Sequence, residues 1–315
     1  MAKGNRILKN ASWIMACSIL QALMSLVIGM ISARYLGPGN YGLISYASSI
    51  VTFIVPVVQL GLRNTLVQEI VASPDKDGEI LGTTLISTVV CSLFGIIGII
   101  SFVSIVNRGE QETIIVCALY SVSLIFQMTQ MIQYWFQAKL ISKYISITSL
   151  CAYILVSAYK IYLLISEKNI YWFSVTNAFD YLLISIILLI IYKKIGGRKL
   201  TYSFTRFKAL FSKSKYYIVS GMMINVFSQT DKIMLKLMLG DAETGFYSAA
   251  ITCTTMTSFV FTAIIDSFRP VIFENKISDE DKYEKNIKRL YSVIIYTALI
   301  QSVVLTVFSG FIINI

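Results

Sequence analysis

The 315-residue sequence has no histidine, only four prolines and only 14% charged residues. That lies far from the balance of a soluble globular domain. Its five cysteines, Cys17, Cys91, Cys117, Cys151 and Cys253, all fall in apolar runs with no CxxC spacing, so neither a disulfide framework nor a zinc site is indicated. They read as small core residues. No GxxxxGK[ST] stretch occurs, so a nucleotide-binding motif is missing and neither cofactor nor metal is expected.

What the sequence has in quantity is hydrophobic: 56% of it is apolar and the mean hydropathy is +0.71. Long apolar runs recur at about 10–33, 41–62, 80–106, 113–137, 143–165, 170–192, 215–238, 245–268 and 290–314. Each reaches the roughly 20 residues that cross a bilayer as a helix. Each is also about twice a barrel strand and lacks its strict alternation. The expected class is therefore all-α and integral to the membrane, a polytopic bundle of about nine transmembrane helices. The first run is too long for a signal-peptide core and is expected to remain as span 1. Trp13, Trp135 and Trp172 sit near span ends, where interfacial aromatics belong.

A net charge of +10 raises the question of a nucleic-acid partner, and its distribution answers no. With the N-terminus placed inside, basic residues crowd onto the inner side. They are Lys3, Arg6 and Lys9, then Arg63 and Lys76, Lys139 and Lys143, the connection 193–215, and the segment 269–289. The opposite side holds four: Arg34, Arg108, Lys168 and Lys236. This asymmetry is the positive-inside rule and predicts an N-in orientation.

At an offset of 203 residues, LGPGNYGLISYA (Leu36 to Ala47) falls on LGDAETGFYSAA (Leu239 to Ala250), matching at Leu, Gly, Gly, Ser and Ala. Both copies lie at outer turns, and six spans separate them, so the two units run in the same direction, as parallel repeats do in several transporter folds. Residues 1–194 would form a first six-helix bundle, 195–214 a basic cytoplasmic linker, and 215–315 the first three helices of a second bundle. A complete second unit would need three more spans, so a fragment is expected. Within the linker, Phe204, Phe207, Leu210 and Phe211 fall opposite Arg206, Lys208 and Lys213 at helical spacing. Two readings stand: a helix on an anionic leaflet, or a solvated basic connection.

Polar side chains form stripes along several spans. Span 1 carries Ser18, Gln21, Ser25, Gly29 and Ser32; span 2 carries Ser45, Ser48, Thr52, Pro56 and Gln59. Span 4 has Tyr120, Ser123, Gln127, Gln130, Tyr134 and Gln137 on one face, and span 7 has Asn225, Gln229, Lys232 and Lys236. Such faces avoid lipid. Small hydroxyl residues can simply let helices pack closely, the plainer reading for span 1. The large amides of span 4 point instead to a shared aqueous vestibule between two half-molecules. Pro56 removes a backbone hydrogen bond in mid-span 2 and is a candidate bend.

Charge at membrane depth costs on the order of 2 to 3 kcal/mol even on insertion scales, so each such residue needs a use or a partner. Asp180, near the middle of span 6, is the best candidate for a titratable or cation-binding carboxylate, the alternative being an ion pair with Lys160. Lys160 can also snorkel to the outer interface. Asp231 and Lys232 project about 100° apart, so Lys232 is expected to face the vestibule and Asp231 to pair with a neighbouring helix. Asp266, beside Arg269, reads as an interfacial salt bridge.

Four stretches in this order, ARYLGPGNYG (Ala33 to Gly42), LGLRNTLVQEI (Leu60 to Ile70), YWFQAK (Tyr134 to Lys139) and QTDKIMLKLMLGDAETGFYSAA (Gln229 to Ala250), resemble the Wzx-type flippases of lipid-linked oligosaccharides. These belong to the multidrug/oligosaccharidyl-lipid/polysaccharide exporter superfamily. The resemblance spans the whole chain. YWFQAK departs from the family pattern at Ala138 and Lys139 and is assigned no role. The resemblance implies a bacterial inner-membrane transporter, not an enzyme. It would flip an undecaprenyl-pyrophosphate-linked sugar repeat by alternating access for O-antigen, capsule or exopolysaccharide synthesis, beside polysaccharide polymerase and chain-length proteins. The cations Arg34, Arg63, Lys232 and Lys236 and the amides Gln21, Gln127, Gln130 and Gln229 would solvate the pyrophosphate and sugars while the prenyl tail stays in lipid. If ions drive transport, Asp180 and Asp231 are the coupling candidates. The rivals are a multidrug exporter, which should favour an acidic, aromatic cavity, and a glycan polymerase or ligase, which should present large catalytic outer loops. A truncated, inactive product is the third.

Overall fold

The computed structural model describes residues 2–139, 141–255 and 280–307, with isolated positions at 260, 261, 264, 265, 268 and 310. Everything described is helix or short connection. The elements are α1 (Ala2–Val58), α2 (Leu62–Ala72), α3 (Asp77–Val106), α4 (Gln111–Ser121), a 3₁₀ segment (Val122–Gln127), α5 (Met128–Ala138), α6 (Lys143–Ile165), α7 (Ile170–Lys194), α8 (Phe204–Leu239), α9 (Asp241–Thr255) and α10 (Glu280–Val307). Asp266 and Arg269 lie outside the described residues, as do the side chains of Trp13 and Ser18.

Among the described residues, six helical stretches are long and apolar enough to cross a membrane. The first of them holds two predicted spans, because α1 is broken at Gly37, whose φ of 71° and ψ of 169° no helix contains. Pro38 follows at once. Glycine at positive φ ends one helical arm, and proline, with its fixed φ and missing N–H, starts the next. The same device recurs at Gly240 (φ 99°, ψ −172°), followed by α9 with Asp241 and Glu243 in its first turn, where carboxylates suit the helix dipole. Gly37 and Gly240 are the equivalent residues of the 203-residue repeat, so its two copies share a backbone conformation open almost only to glycine.

The exposure pattern is that of a protein in lipid. Phe94 is 71% exposed, Ile165 78% and Phe227 92%, each on a membrane-length helix, whereas a soluble fold would bury them. Hydroxyls turn inward instead: Thr88, Ser92, Ser121, Ser123, Thr129 and Ser174 are fully buried. One apolar core gathers Leu66, Ile70, Ile80, Trp135, Phe136, Leu188 and Leu210. A second gathers Tyr46, Ile50, Ile99, Val103, Val116 and Ile170. Both are built mainly from the helices before α8, which adds Leu210 to the first.

Span 4 is not one α-helix. Between α4 and α5 the chain tightens to 3₁₀ over Val122–Gln127, while Gln127 and Tyr134 stay buried and Gln137 is exposed. Ser92 of α3 places its hydroxyl 2.7 Å from the Leu124 carbonyl, and Thr129 donates to the Tyr181 carbonyl at 3.2 Å. Pro56 lies in the last turn of its arm, not in the middle, because helix ends at Val58 and Leu60 and Gly61 adopt positive φ.

The basic connection after α7 is clipped to the protein. Gly78 and Gly82, one turn apart on α3, leave a groove in which the main chain of residues 198–201 lies so close that a side chain on either glycine would strike it. Tyr192 donates to the Arg198 carbonyl (2.6 Å), and the Ser203 amide donates to Thr83 (3.1 Å). Arg198 pairs with Asp75 at 2.8 Å, Arg206 approaches Glu79 at 3.7 Å, and Lys213 pairs with Glu69. Ser203 caps α8 through the Arg206 amide. These cations meet carboxylates of α2, of α3 and of the connection between them, so of the two sequence readings neither a leaflet-bound helix nor a free solvated linker describes Arg206 and Lys213.

Candidate functional site

The polar residues singled out in the sequence fall into two groups, where one shared vestibule was expected. The first lies inside the bundle formed by α1 and α3 to α7. Gln59 donates to Gln127 at 2.9 Å and Asn177 donates to Tyr120 at 3.2 Å, with Tyr181 near Gln127 and Ser48 near Tyr120. The span-2 stripe (Ser48, Gln59) therefore faces α4, the 3₁₀ segment and α7, and Gln127 is only 5% exposed. Asp180 and Lys160 lie within electrostatic reach of each other across α6 and α7, beyond salt-bridge distance, and the Asp180 Oδ1 is buried without a hydrogen-bond partner. Tyr153 lies near Ser25 and Ser157. Gln21 and Gln130 are half-buried.

The second group is the face of α8 that packs along α1. Gly221 touches Pro56, and Asn225 donates to the Thr52 carbonyl at 2.6 Å. One and two turns on, Gln229 and Lys232 are half-buried, with Gln229 near Ser228 at 3.4 Å. Lys236, 6% exposed, ends the stripe between Glu110 (2.9 Å) and Asp241 (2.8 Å). Asp231 points to α9, where its carboxylate accepts from the Tyr247 hydroxyl. It pairs with a neighbouring helix while Lys232 follows the stripe. Arg34, just before the Gly37 break in α1, and Arg63, in the first turn of α2, are both exposed. Arg63 is close enough to Tyr134 to act on it electrostatically.

Sequence reasoning missed the carboxylates. Glu110 stands in the connection from α3 to α4, where Thr113 and Asn107 donate to it at 2.8 and 3.3 Å, and Asn107 in turn accepts from Tyr46 at 2.9 Å. The hydrogen bond from the Lys236 ammonium is the largest influence holding the Glu110 carboxyl below the usual carboxylate range. Asp77, 3% exposed, receives Lys139 at 2.8 Å and the Trp135 indole N–H at 3.2 Å. Lys139, which received no role from the sequence, neutralises a buried acid. Among the described residues there is no cluster of metal-ligating side chains. An open cavity of about 600 Å³ lies between α9 and α10, lined by Thr254, Ala298, Gln301, Ser302, Leu305 and Thr306.

Amphipathic spans of this kind, with polar faces buried against each other and apolar faces outward, define a multi-pass α-helical membrane protein. Among solved structures, the chain is similar to a multidrug resistance MATE family transporter of the MOP superfamily, described in an inward-facing conformation. The match covers 95% of this chain and 74% of that one, with a TM-score of 0.56 and 11% identity, and therefore concerns the fold alone. No curated protein matches. The family model described as polysaccharide biosynthesis protein matches residues 7–276, and the chain belongs to that family.

Proposed function

We propose that this protein is a flippase that carries a lipid-linked oligosaccharide, sugars joined to a polyprenyl carrier through pyrophosphate, across the bacterial cytoplasmic membrane with its N-terminus inside. Family membership in polysaccharide biosynthesis and the MOP transporter fold support the class. The observation that carries the substrate is Lys232 on the face of α8 turned toward α1: a half-buried ammonium at bilayer depth, following the amides Asn225 and Gln229. Such a face solvates a pyrophosphate and hydroxyls that hydrocarbon rejects, and it repels a cationic drug. Lys236 extends the face once it leaves Glu110.

The function is tested by complementation of a bacterial strain lacking its own flippase and by translocation of a fluorescent lipid-linked oligosaccharide in proteoliposomes. Lys232→Ala is expected to reduce translocation about tenfold, the loss that ~1.4 kcal/mol of a charge-assisted contact produces. Drug resistance without glycan export would move the protein to the multidrug class, and glycosidic bond formation by the purified protein would make it an enzyme. Translocation is powered by an ion gradient or by consumption of the product outside. Asp180 and Asp231 are the carboxylates through which a gradient would act, and full transport by both Asp→Asn variants eliminates that route. Export of this kind places the protein beside a polymerase and chain-length proteins.

A further inference from the structure

The two copies of the 203-residue repeat touch each other. A methyl added to Gly42 would overlap the Asp241 carbonyl oxygen and stand 2.7 Å from the Gly245 amide nitrogen; one added to Gly245 would overlap the Pro38 carbonyl and stand 2.8 Å from its carbon. Gly245 is the repeat equivalent of Gly42, and Asp241 that of Pro38. The contact is therefore reciprocal: each glycine meets the main chain of the residue four positions before its own counterpart. A reciprocal contact between equivalent residues is what a two-fold axis generates. Here the axis is internal, and the crossing sits on it.

Its surroundings lie at the same end of the molecule. Tyr41 and Thr252 place their hydroxyls 3.3 Å apart. Lys236, on the repeat unit of α8 and α9, reaches Glu110 of the first unit at 2.9 Å. Contact at this end is thus backbone against backbone, reinforced by one buried ammonium that takes a carboxylate from each unit. By the charge asymmetry of the loops, this end faces outward.

We propose that the Gly42–Gly245 crossing is the outer gate of the protein, held shut here and latched by Lys236 and Glu110. Passage to the outside requires the segments 38–42 and 241–245 to part, which draws Glu110 away from Lys236 and leaves the ammonium with Asp241 alone. This inference rests on the transporter reading, since a gate serves a passage, but its test requires no substrate.

Ser248 provides the reporter. It lies one turn beyond Gly245 on the same face of α9, is 2% exposed, and its hydroxyl has no hydrogen-bond partner. A Ser248→Cys thiol, reacted with a membrane-impermeant maleimide in spheroplasts, should label slowly. Gly42→Leu or Gly245→Leu added to it should raise the rate at least about tenfold, since each forces apart main chains that cannot yield as side chains do. Each rate is corrected by the same variant retaining Ser248. Gly98→Leu, at a glycine with open space around it, should leave the rate unchanged. Unchanged labelling in both crossing variants, present in the membrane at the parent amount, overturns the proposal. If those variants are lost from the membrane, Glu110→Gln, which unlatches without adding bulk, must raise the rate, and an unchanged rate there overturns it equally. Export of lipid-linked oligosaccharide is scored separately: labelling that responds while export is absent removes the substrate reading and leaves the gate standing.

Discussion

Individual ionic contacts in this protein differ sharply in weight. Asp77 is nearly inaccessible and takes its compensation from Lys139, from the Trp135 indole and, at 3.8 Å, from Arg198. Lys139→Met leaves the buried carboxylate with only Trp135 and the more distant Arg198, and should cost about 1–3 kcal/mol. The expected outcome is a lower thermal midpoint in detergent, with much of the loss recovered when Asp77→Asn is added; equal midpoints for parent and Lys139→Met would contradict the pairing. Glu110 is half-exposed, and its influence is felt through pH. Its carboxyl is held low in the folded protein by Lys236, so the stabilisation is present above the ordinary carboxylate pKa of about 4.3 and is lost as pH falls through the lowered value. The latch should therefore be indifferent to pH between about 8 and 5. It should weaken only in stronger acid, an effect that Glu110→Gln abolishes. A Ser248→Cys labelling rate that rises steadily from pH 7.5 to 5.5 would exclude Glu110 as the acid-sensitive group.

At the scale of single elements, the 3₁₀ segment and the clipped connection carry the clearest expectations. Ser92→Ala removes the hydroxyl over the Leu124 carbonyl and should destabilise by about 1 kcal/mol, visible as a shifted thermal transition with little change in helix content. Gly78→Leu or Gly82→Leu should expel residues 198–201 from the α3 groove. Trypsin would then cut at Arg198 or Lys199 in membranes where the parent resists, and equal digestion would show that the groove does not hold the connection. Both features mark where the sequence ran out. The positions of spans 1 to 6 and 9 were readable, because apolar length is a local property. The Gly37 and Gly240 turns were readable as repeat copies, because glycine there answers to backbone conformation. The 3₁₀ stretch in span 4 was not, since a helical wheel assumes a constant 100° per residue and spacing alone carries no sign of the break. Nor could spacing reveal that Arg206 and Lys213 meet Glu69 and Glu79, which lie more than a hundred residues earlier in the chain.

For the molecule as a whole, the charge asymmetry and the repeat together fix what should be measured. Thiols placed at Lys168 and at Lys199 should react with an impermeant reagent from opposite sides of the membrane, Lys168→Cys from outside. Reaction of both from one side would refute the assigned orientation. The distribution of polar residues separates an interior network in the first bundle from a basic face on α8, so substitutions should divide as well. Gln127→Leu should disturb folding, through the lost bond from Gln59, more than translocation. Lys232→Ala should disturb translocation more than folding.

The crossing at Gly42 and Gly245 has a genetic corollary. Where a bulky residue collides with a facing side chain, selection can trim that side chain and restore the fit. Here each glycine abuts peptide carbonyls, which no codon change can shrink. Revertants of an enlarged Gly42 should accordingly arise by restoring glycine or alanine in place, or by loosening distant seams that let the whole helix shift, and never by tailoring the opposite partner.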